Sequence, residues 1–207
     1  MKNTIYIKAH CAITNTKVIC NNEVLCEKND QDYKSFLKSI YKNNCEESYP
    51  KFFKMDEASK LAFLTAEILL KNSNITEEEK EELAIVLSNK SASLNTDRVY
   101  QESIQDEMNF YPSPAIFVYT LPNIGIGEIS IKHKIYGENA FFISEKFDAN
   151  LLGTYSEVLL QTSKTNNVLC GWVEVDKGEC SSFFYILSNT GEEEYSEQKL
   201  NKIYQSI

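Results

Sequence analysis

The sequence predicts a three-layer α/β domain with a mostly parallel sheet and an antiparallel edge strand, on three observations. Compact apolar runs of strand type at residues 83–87, 140–143 and 168–175 alternate with helical stripes, the clearest being Ala58, Leu61, Ala62, Thr65, Ile68 and Leu69. Asp176-Lys177-Gly178-Glu179 has hairpin-turn composition and joins residues 168–175 to residues 182–188, making that last strand antiparallel to its neighbour. No internal repeat or long linker interrupts the 207 residues, so residues 1–207 read as one domain with length enough for a sizeable core.

The remaining elements follow from local pattern. Residues 4–13 alternate around Ile5 and Ile7 and end in Ala-His-Cys-Ala-Ile, as a strand buried on one or both faces does. Residues 14–32 carry short apolar pieces, Val18-Ile19 and Val24-Leu25, and read as a hairpin or an irregular excursion. Tyr33, Phe36, Leu37, Ile40 and Tyr41 recur as in a surface helix. Thr76-Glu77-Glu78-Glu79 is a capping-box pattern opening a short helix before the strand at 83–87. Ser88-Asn89-Lys90-Ser91-Ala92-Ser93 is either a small-residue loop that lets backbone approach a ligand or an ordinary turn. Residues 97–108 read as a polar, exposed helix broken by Pro112 and Pro114. Ile124, Gly127, Ile131 and Ile135 predict a buried helix ended by Gly137, followed by a buried strand at 140–143. Leu151, Leu152, Tyr155, Val158, Leu159 and Leu160 form a further stripe, and residues 192–207 a terminal helix with Leu200, Ile203 and Tyr204 on one face.

Composition narrows the function classes. The hydrophobic fraction of 43% and charged fraction of 25% are those of an ordinary globular chain. A formal charge of −9, with Arg98 the one arginine among 21 basic residues, repels nucleic-acid phosphates and anionic lipids, so neither is an expected partner. It also opposes docking of an acidic protein unless a local lysine patch overrides it. No apolar run reaches bilayer length, and Met1-Lys2-Asn3-Thr4-Ile5 lacks a signal peptide's apolar core, which together place the chain in the cytoplasm. Six cysteines without paired spacing read as reduced thiols. His10 and His133 stand alone in sequence, so no metal or other cofactor is expected.

The segment from residue 113 to 146 carries a family resemblance. A Leu121-Pro122-Asn123 turn opens the small-residue helix, and Gly137-Glu138-Asn139 leads into the strand at 140–143. This order resembles the N-terminal half of the β-ketoacyl synthases. Met55-Asp56 ahead of the helix at 58–69 and Gly171-Trp172-Val173-Glu174, similar to the family's Gly-Gly-x-Glu, agree with it. The resemblance covers nearly the whole chain, most strongly residues 50–71 and 113–187. It implies the thiolase-like fold, N-terminal half only, with absence of the second half that supplies two catalytic histidines. It also places Ser88 to Ser93 beside the family's active site. In active members the strand after the Gly137 turn ends in a nucleophilic cysteine, and counting puts that position at Lys146. The chain has no cysteine between Cys45 and Cys170. Ser144-Glu145-Lys146 resembles the Ser-Glu-Gln of chain length factors, ketosynthase-like subunits that lack the nucleophile and pair with an active partner.

Several readings of these residues stay open. Glu145 and Lys146 form an ion pair or face solvent at the strand end, or Lys146 lines a tunnel shared with a partner; alternatively Ser144 beside Lys146 is a nucleophile and base. Phe117, Tyr119, Phe141, Phe142 and Trp172 are core or the lining of an acyl pocket or interface. Half of a pseudo-symmetric fold exposes an apolar face, which implies a partner. The leading expectation is a non-catalytic accessory subunit in acyl-carrier-dependent fatty acid, polyketide or polyene pigment synthesis, partnered by an active ketosynthase or an acyl carrier protein. The alternatives are a divergent acyltransferase with an unrecognised nucleophile and a homo-oligomeric acyl-binding protein.

Overall fold

The structure, a computed structural model, describes residues 4–162 and 164–207. The first three residues of the N-terminal stretch read for a signal peptide lie outside the described residues. The chain begins with β1 (Tyr6–Ile13), β2 (Lys17–Cys20) and β3 (Glu23–Glu27), successive antiparallel partners, so the segment left open between hairpin and excursion is a hairpin. Asn21 and Asn22 make its turn at φ 48° and 68°, a conformation asparagine tolerates.

Helix α1 (Tyr33–Asn44) starts where the Asp32 carboxylate accepts the Ser35 N–H at 2.9 Å, and it buries Phe36, Leu37, Ile40 and Tyr41. A 3-10 turn, Pro50–Lys54, leads into α2 (Glu57–Lys71), capped by Asp56. Helix α2 buries eleven of its fifteen residues because it is enclosed between the sheet, α1 and a later helix. Thr65 Oγ1 meets Ser182 Oγ at 2.6 Å, so even its polar contact with the sheet is satisfied. Thr76 and Glu79 form both bonds of the expected capping box at the start of α3 (Glu77–Glu81). Strand β4 (Ala84–Asn89) follows, buried throughout.

The polar helix expected over 97–108 is instead α4 (Leu94–Glu102) and a separate 3-10 turn, Glu107–Asn109. Ser103 Oγ bonds the Tyr100 carbonyl and the Asp106 carboxylate takes the Met108 N–H, local bonds that compete with helix continuation. After α5 (Pro114–Phe117), α6 (Ile124–His133) ends at Lys134 in the left-handed conformation, three residues before Gly137. Its buried face is Gly125, Ile126, Glu128 and Ile129, whereas Ile131 of the expected stripe is 62% exposed. Gly125 sets this rotation: a Cβ there would stand 3.4 Å from the Ala62 Cβ, so the helix turns its glycine face onto α2. Strand β5 (Asn139–Ile143) was expected to be buried; among the described residues it pairs with β4 alone and is half-exposed at a sheet edge.

Helix α7 (Ala149–Gln161), β6 (Asn167–Asp176), β7 (Glu179–Ser188), the short β8 (Glu193–Glu194) and α8 (Glu197–Gln205) complete the chain. Lys177 and Gly178, both at positive φ, make the predicted β6–β7 hairpin turn. The sheet order is β3-β2-β1-β7-β6-β4-β5, with β8 also on β1. Strands β1, β4, β5 and β6 run one way, and β7 opposes its two neighbours. The antiparallel edge of the sheet is the β2–β3 hairpin, while β7, antiparallel to its neighbours as predicted, lies inside the sheet. Its sequence explains why: Phe183, Tyr185 and Leu187 bury on one face and Phe184 and Ile186 on the other, which an edge strand does not do.

Two apolar cores flank the sheet, one beneath α1, α2 and α6 and one beneath α7 and α8, giving the three layers expected. Each fully buried Leu, Ile or Phe contributes roughly 1.5–3 kcal/mol. Among the described residues no helix is long and apolar enough to cross a membrane.

Candidate functional site

The parallel strands place a cavity at their C-terminal ends, where open α/β sheets bind ligands. Leu87 and Asn89 of β4, Phe141 of β5 and Val173 of β6 meet the starts of α2 and α6 there. The cavity holds only about 20 Å³, room for about one water. Most of its polar side chains are already engaged. Asp56 takes the Ser59 N–H and the Thr96 hydroxyl, and Asn89 closes on the Ala92 N–H and carbonyl. The Ser93 hydroxyl bonds Asp97, and the Tyr119 hydroxyl donates to Glu128 at 3.0 Å. Among the described residues no thiol or imidazole lines the cavity.

Glu128, on α6 and only 1% exposed, organises one wall. Its carboxylate receives Tyr119, Tyr49 at 3.2 Å and the Lys51 ammonium at 2.9 Å, so the buried charge is paired and hydrogen-bonded. Burial, and then the Glu128 charge, push the Tyr49 phenol up to about 12 and the Tyr119 phenol up as well. The opposite wall is the loop after β4. Glu174, the last residue of the Gly-x-x-Glu pattern, accepts the Lys90 N–H at 2.7 Å and the Ser91 N–H at 3.2 Å, tying that loop to β6. The loop therefore carries the small-residue role and the turn role together: Ala92 sits at φ 50° and lines the cavity.

The β5–α7 turn holds Ser144, Glu145 and Lys146. Ser144 N–H extends the β4 ladder by bonding the Asn89 carbonyl, and its hydroxyl donates to the Lys146 carbonyl at 3.0 Å. Glu145 and Lys146 are exposed, and neither has an ion-pair partner among the described residues, so of the open readings the geometry matches exposure to solvent. The next residue, Phe147, turns into the α7–α8 core, and Asp148 caps α7 by accepting the Asn150 and Leu151 N–H groups. The positive end of α7 is thus filled by the chain's own carboxylate.

The five aromatic residues do not line one pocket. Tyr119 and Phe141 belong to the α2 side, while Phe142 and Trp172 belong to the α7 side, because successive strand residues point to opposite faces. Phe117, expected in an apolar buried element, is 55% exposed and rests on Tyr100 at 5.4 Å. Its helix is four residues long, too short to own a buried face.

The histidines stand elsewhere. His10 Nε2 lies 3.2 Å from Asn22 Oδ1 beside α8, and His133 Nε2 lies 2.8 Å from Glu67 Oε1 without the angle a hydrogen bond needs. All six cysteines are free; burial pushes Cys170 up to about 12, and burial with the Glu67 charge does the same to Cys45, so both stay protonated at neutral pH. Among the described residues no three His, Cys, Asp or Glu are placed to hold a metal. Sequence reasoning missed Glu128, an acid inside a helix read as small and apolar.

No protein-family model matches the chain, and no curated protein does. Solved structures do. The ishigamide ketosynthase/chain length factor matches with a TM-score of 0.67 at 14% identity over 92% of this chain and 64% of its own. A ketosynthase in complex with its chain length factor from Xenorhabdus doucetiae matches with 0.61 at 14% identity, over 91% and 80%. A type II polyketide acyl carrier protein in complex with its ketosynthase matches with 0.62 at 11%, over 98% and 65%. The chain spans less than two thirds of the length of two of these three. It has the thiolase-like fold of the ketosynthases and chain length factors.

Proposed function

We propose that the protein is a non-catalytic ketosynthase-like subunit, cytoplasmic, that acts beside an active ketosynthase or an acyl carrier protein in fatty acid, polyketide or polyene pigment synthesis. The observation that carries this reading is the β5–α7 turn. Where active ketosynthases place a thiol to hold the acyl chain, this turn presents Lys146 to solvent, and the adjoining cavity of about 20 Å³ has no thiol, imidazole or space for an acyl group. Exposed apolar residues support a partner: Met108 (90% exposed), Phe110, Tyr111 and Phe117 precede Leu121, which lines that cavity. The structural neighbours are themselves solved as a ketosynthase with its chain length factor and as a ketosynthase with its acyl carrier protein.

The test is a native pull-down from source cells with mass spectrometry of proteins retained near stoichiometry. A retained ketosynthase or acyl carrier protein supports the reading; self-association alone opposes it. A divergent acyltransferase using Ser144 is the competing reading. The Ser144 hydroxyl is donated to a backbone carbonyl, and among the described residues no basic side chain hydrogen-bonds to it, so an acyl-thioester analogue is expected not to label the protein.

A further inference from the structure

A groove runs between α1 and the start of α2, on the far side of Asp56 from the strand-end cavity, with which it shares that residue alone. Its volume is about 190 Å³, below the roughly 300–1,000 Å³ of pockets that enclose drug-sized ligands and suited to one narrow chain. Leu37, Phe52 and Met55 are buried apolar side chains along it, and Tyr33 adds an aromatic wall. Phe53 stands at the mouth, 53% exposed, held edge-on to Tyr41 and Phe52 at 5.3 and 5.4 Å.

Three lysines rim this apolar floor: Lys34 and Lys38 from α1 and Lys60 from α2. None has an ion-pair partner among the described residues, in a protein whose net charge is −9. Lys34 and Lys38 are an i,i+4 like-charge pair, mildly destabilising to their own helix. Burial and the facing Lys34 hold Lys60 below the usual lysine range, Lys38 adding to them, against the pull of Asp56 and Glu57. The two carboxylates are oriented elsewhere: Asp56 caps α2 and holds Thr96, and Glu57 accepts Asn95 at 3.4 Å. Three ammonium groups against two carboxylates leave one positive charge, which a monoanion matches and a dianion exceeds.

We infer that this groove binds an amphiphilic monoanion, an unbranched aliphatic chain lying on Leu37, Phe52 and Phe53 with a carboxylate among Lys34, Lys38 and Lys60. The bound carboxylate relieves the mutual repulsion of the lysines, and the chain covers the exposed ring of Phe53. The site does not depend on the proposed partner function.

The probe is decanoate below its micelle concentration, titrated into the full chain by calorimetry and by amide chemical shifts. The expected result is one saturable site with shifts at residues 33–38 and 52–60. Decanol, lacking the charge, binds at least tenfold more weakly, and acetate, lacking the chain, does not saturate. Lys60→Gln weakens decanoate at least tenfold and Lys38→Gln by about threefold or more; both remove repulsion and leave the fold intact by circular dichroism. The inference is overturned by equal affinity for decanol, by unchanged decanoate affinity in the Lys38→Gln/Lys60→Gln double variant, by shifts centred on Leu87 and Phe141 instead, or by absence of saturable binding.

Discussion

Helix α2 and the margin formed by residues 103–121 with β5 both carry large apolar side chains and treat them in opposite ways. Helix α2 buries Leu61, Phe63, Leu64, Ile68, Leu69 and Leu70 almost completely, between the sheet and two helices. The margin leaves Met108, Phe110, Tyr111, Phe117, Leu121 and Ile143 exposed. The difference lies in the length of the local element. A fifteen-residue helix offers continuous faces that neighbouring elements cover, whereas turns of three or four residues bury single side chains such as Tyr119 and leave Met108 and Phe117 in solvent. Burial therefore concentrates in α2 and the β6–β7 hairpin, and exposed apolar surface concentrates in the margin.

The largest expected effect breaks the comparison on its buried side. Phe63→Ala removes a ring stacked on Tyr49 at 5.3 Å and packed on Phe52 at 5.8 Å, and is expected to cost about 3–5 kcal/mol in urea unfolding. Phe117→Ala, in the same measurement, should cost under about 1 kcal/mol. If the two variants prove equally destabilising, the margin is structural and the partner reading loses its surface. If Phe117→Ala leaves stability unchanged but abolishes retention of the partner in the pull-down, the division of labour is sharpened.

The contrast also marks what could be read from the sequence. The stripe of α2, the Thr76–Glu79 capping box and the Lys177-Gly178 hairpin turn were all legible because each is a local pattern with one physical solution. Three things were not. The buried face of α6 was misplaced because isoleucines occur all round that helix, and the packing glycine, Gly125, leaves no hydropathy signal. The edge position of β5 follows from which strands find one another, and its Ala-Phe-Phe-Ile run reads the same at an edge as in the interior. The lysine groove draws Lys34, Lys38 and Lys60 from two helices, so its charge pattern exists only after folding. Of the candidate site, the lack of any cysteine between Cys45 and Cys170 is plain in the sequence, whereas the near-closure of the cavity depends on Tyr119, Phe141 and Val173 converging from three separate segments.

An intermediate effect tests the loop between the two regions. Glu174→Gln keeps the shape of the side chain but replaces a charged acceptor of two backbone N–H groups with a neutral one, and should cost about 1–2 kcal/mol. Amide exchange at Lys90 and Ser91 should quicken with it; unchanged exchange would mean that the loop is held by Asn89 alone.

A smaller effect is the pH response of β1. Burial lowers the His10 pKa, against opposing contributions from Asn22 and Glu193. The unfolded chain then binds the extra proton first, so stability is full above the unfolded value of about 6.5 and declines as pH falls below it. His10→Gln should flatten the dependence of the urea midpoint between about pH 6.5 and 5. A slope that survives the substitution belongs to another group.

The smallest expected effect falls on Lys146, the residue proposed for the nucleophile position. Lys146 is exposed, has no ion-pair partner among the described residues and precedes a helix whose start is capped by Asp148, so Lys146→Ala removes no packing and leaves no buried group unpaired. Its cost should be within about 0.5 kcal/mol, with partner retention unchanged. A tunnel-lining lysine behaves differently: its removal would leave stability intact but alter retention or the acyl chain carried by the complex. Loss of folding would instead make the lysine structural, against the exposure seen here. The same substitution thus separates three roles, and the neutral outcome is the one that the β5–α7 turn, closed on itself by the Ser144 hydroxyl and the Lys146 carbonyl, requires.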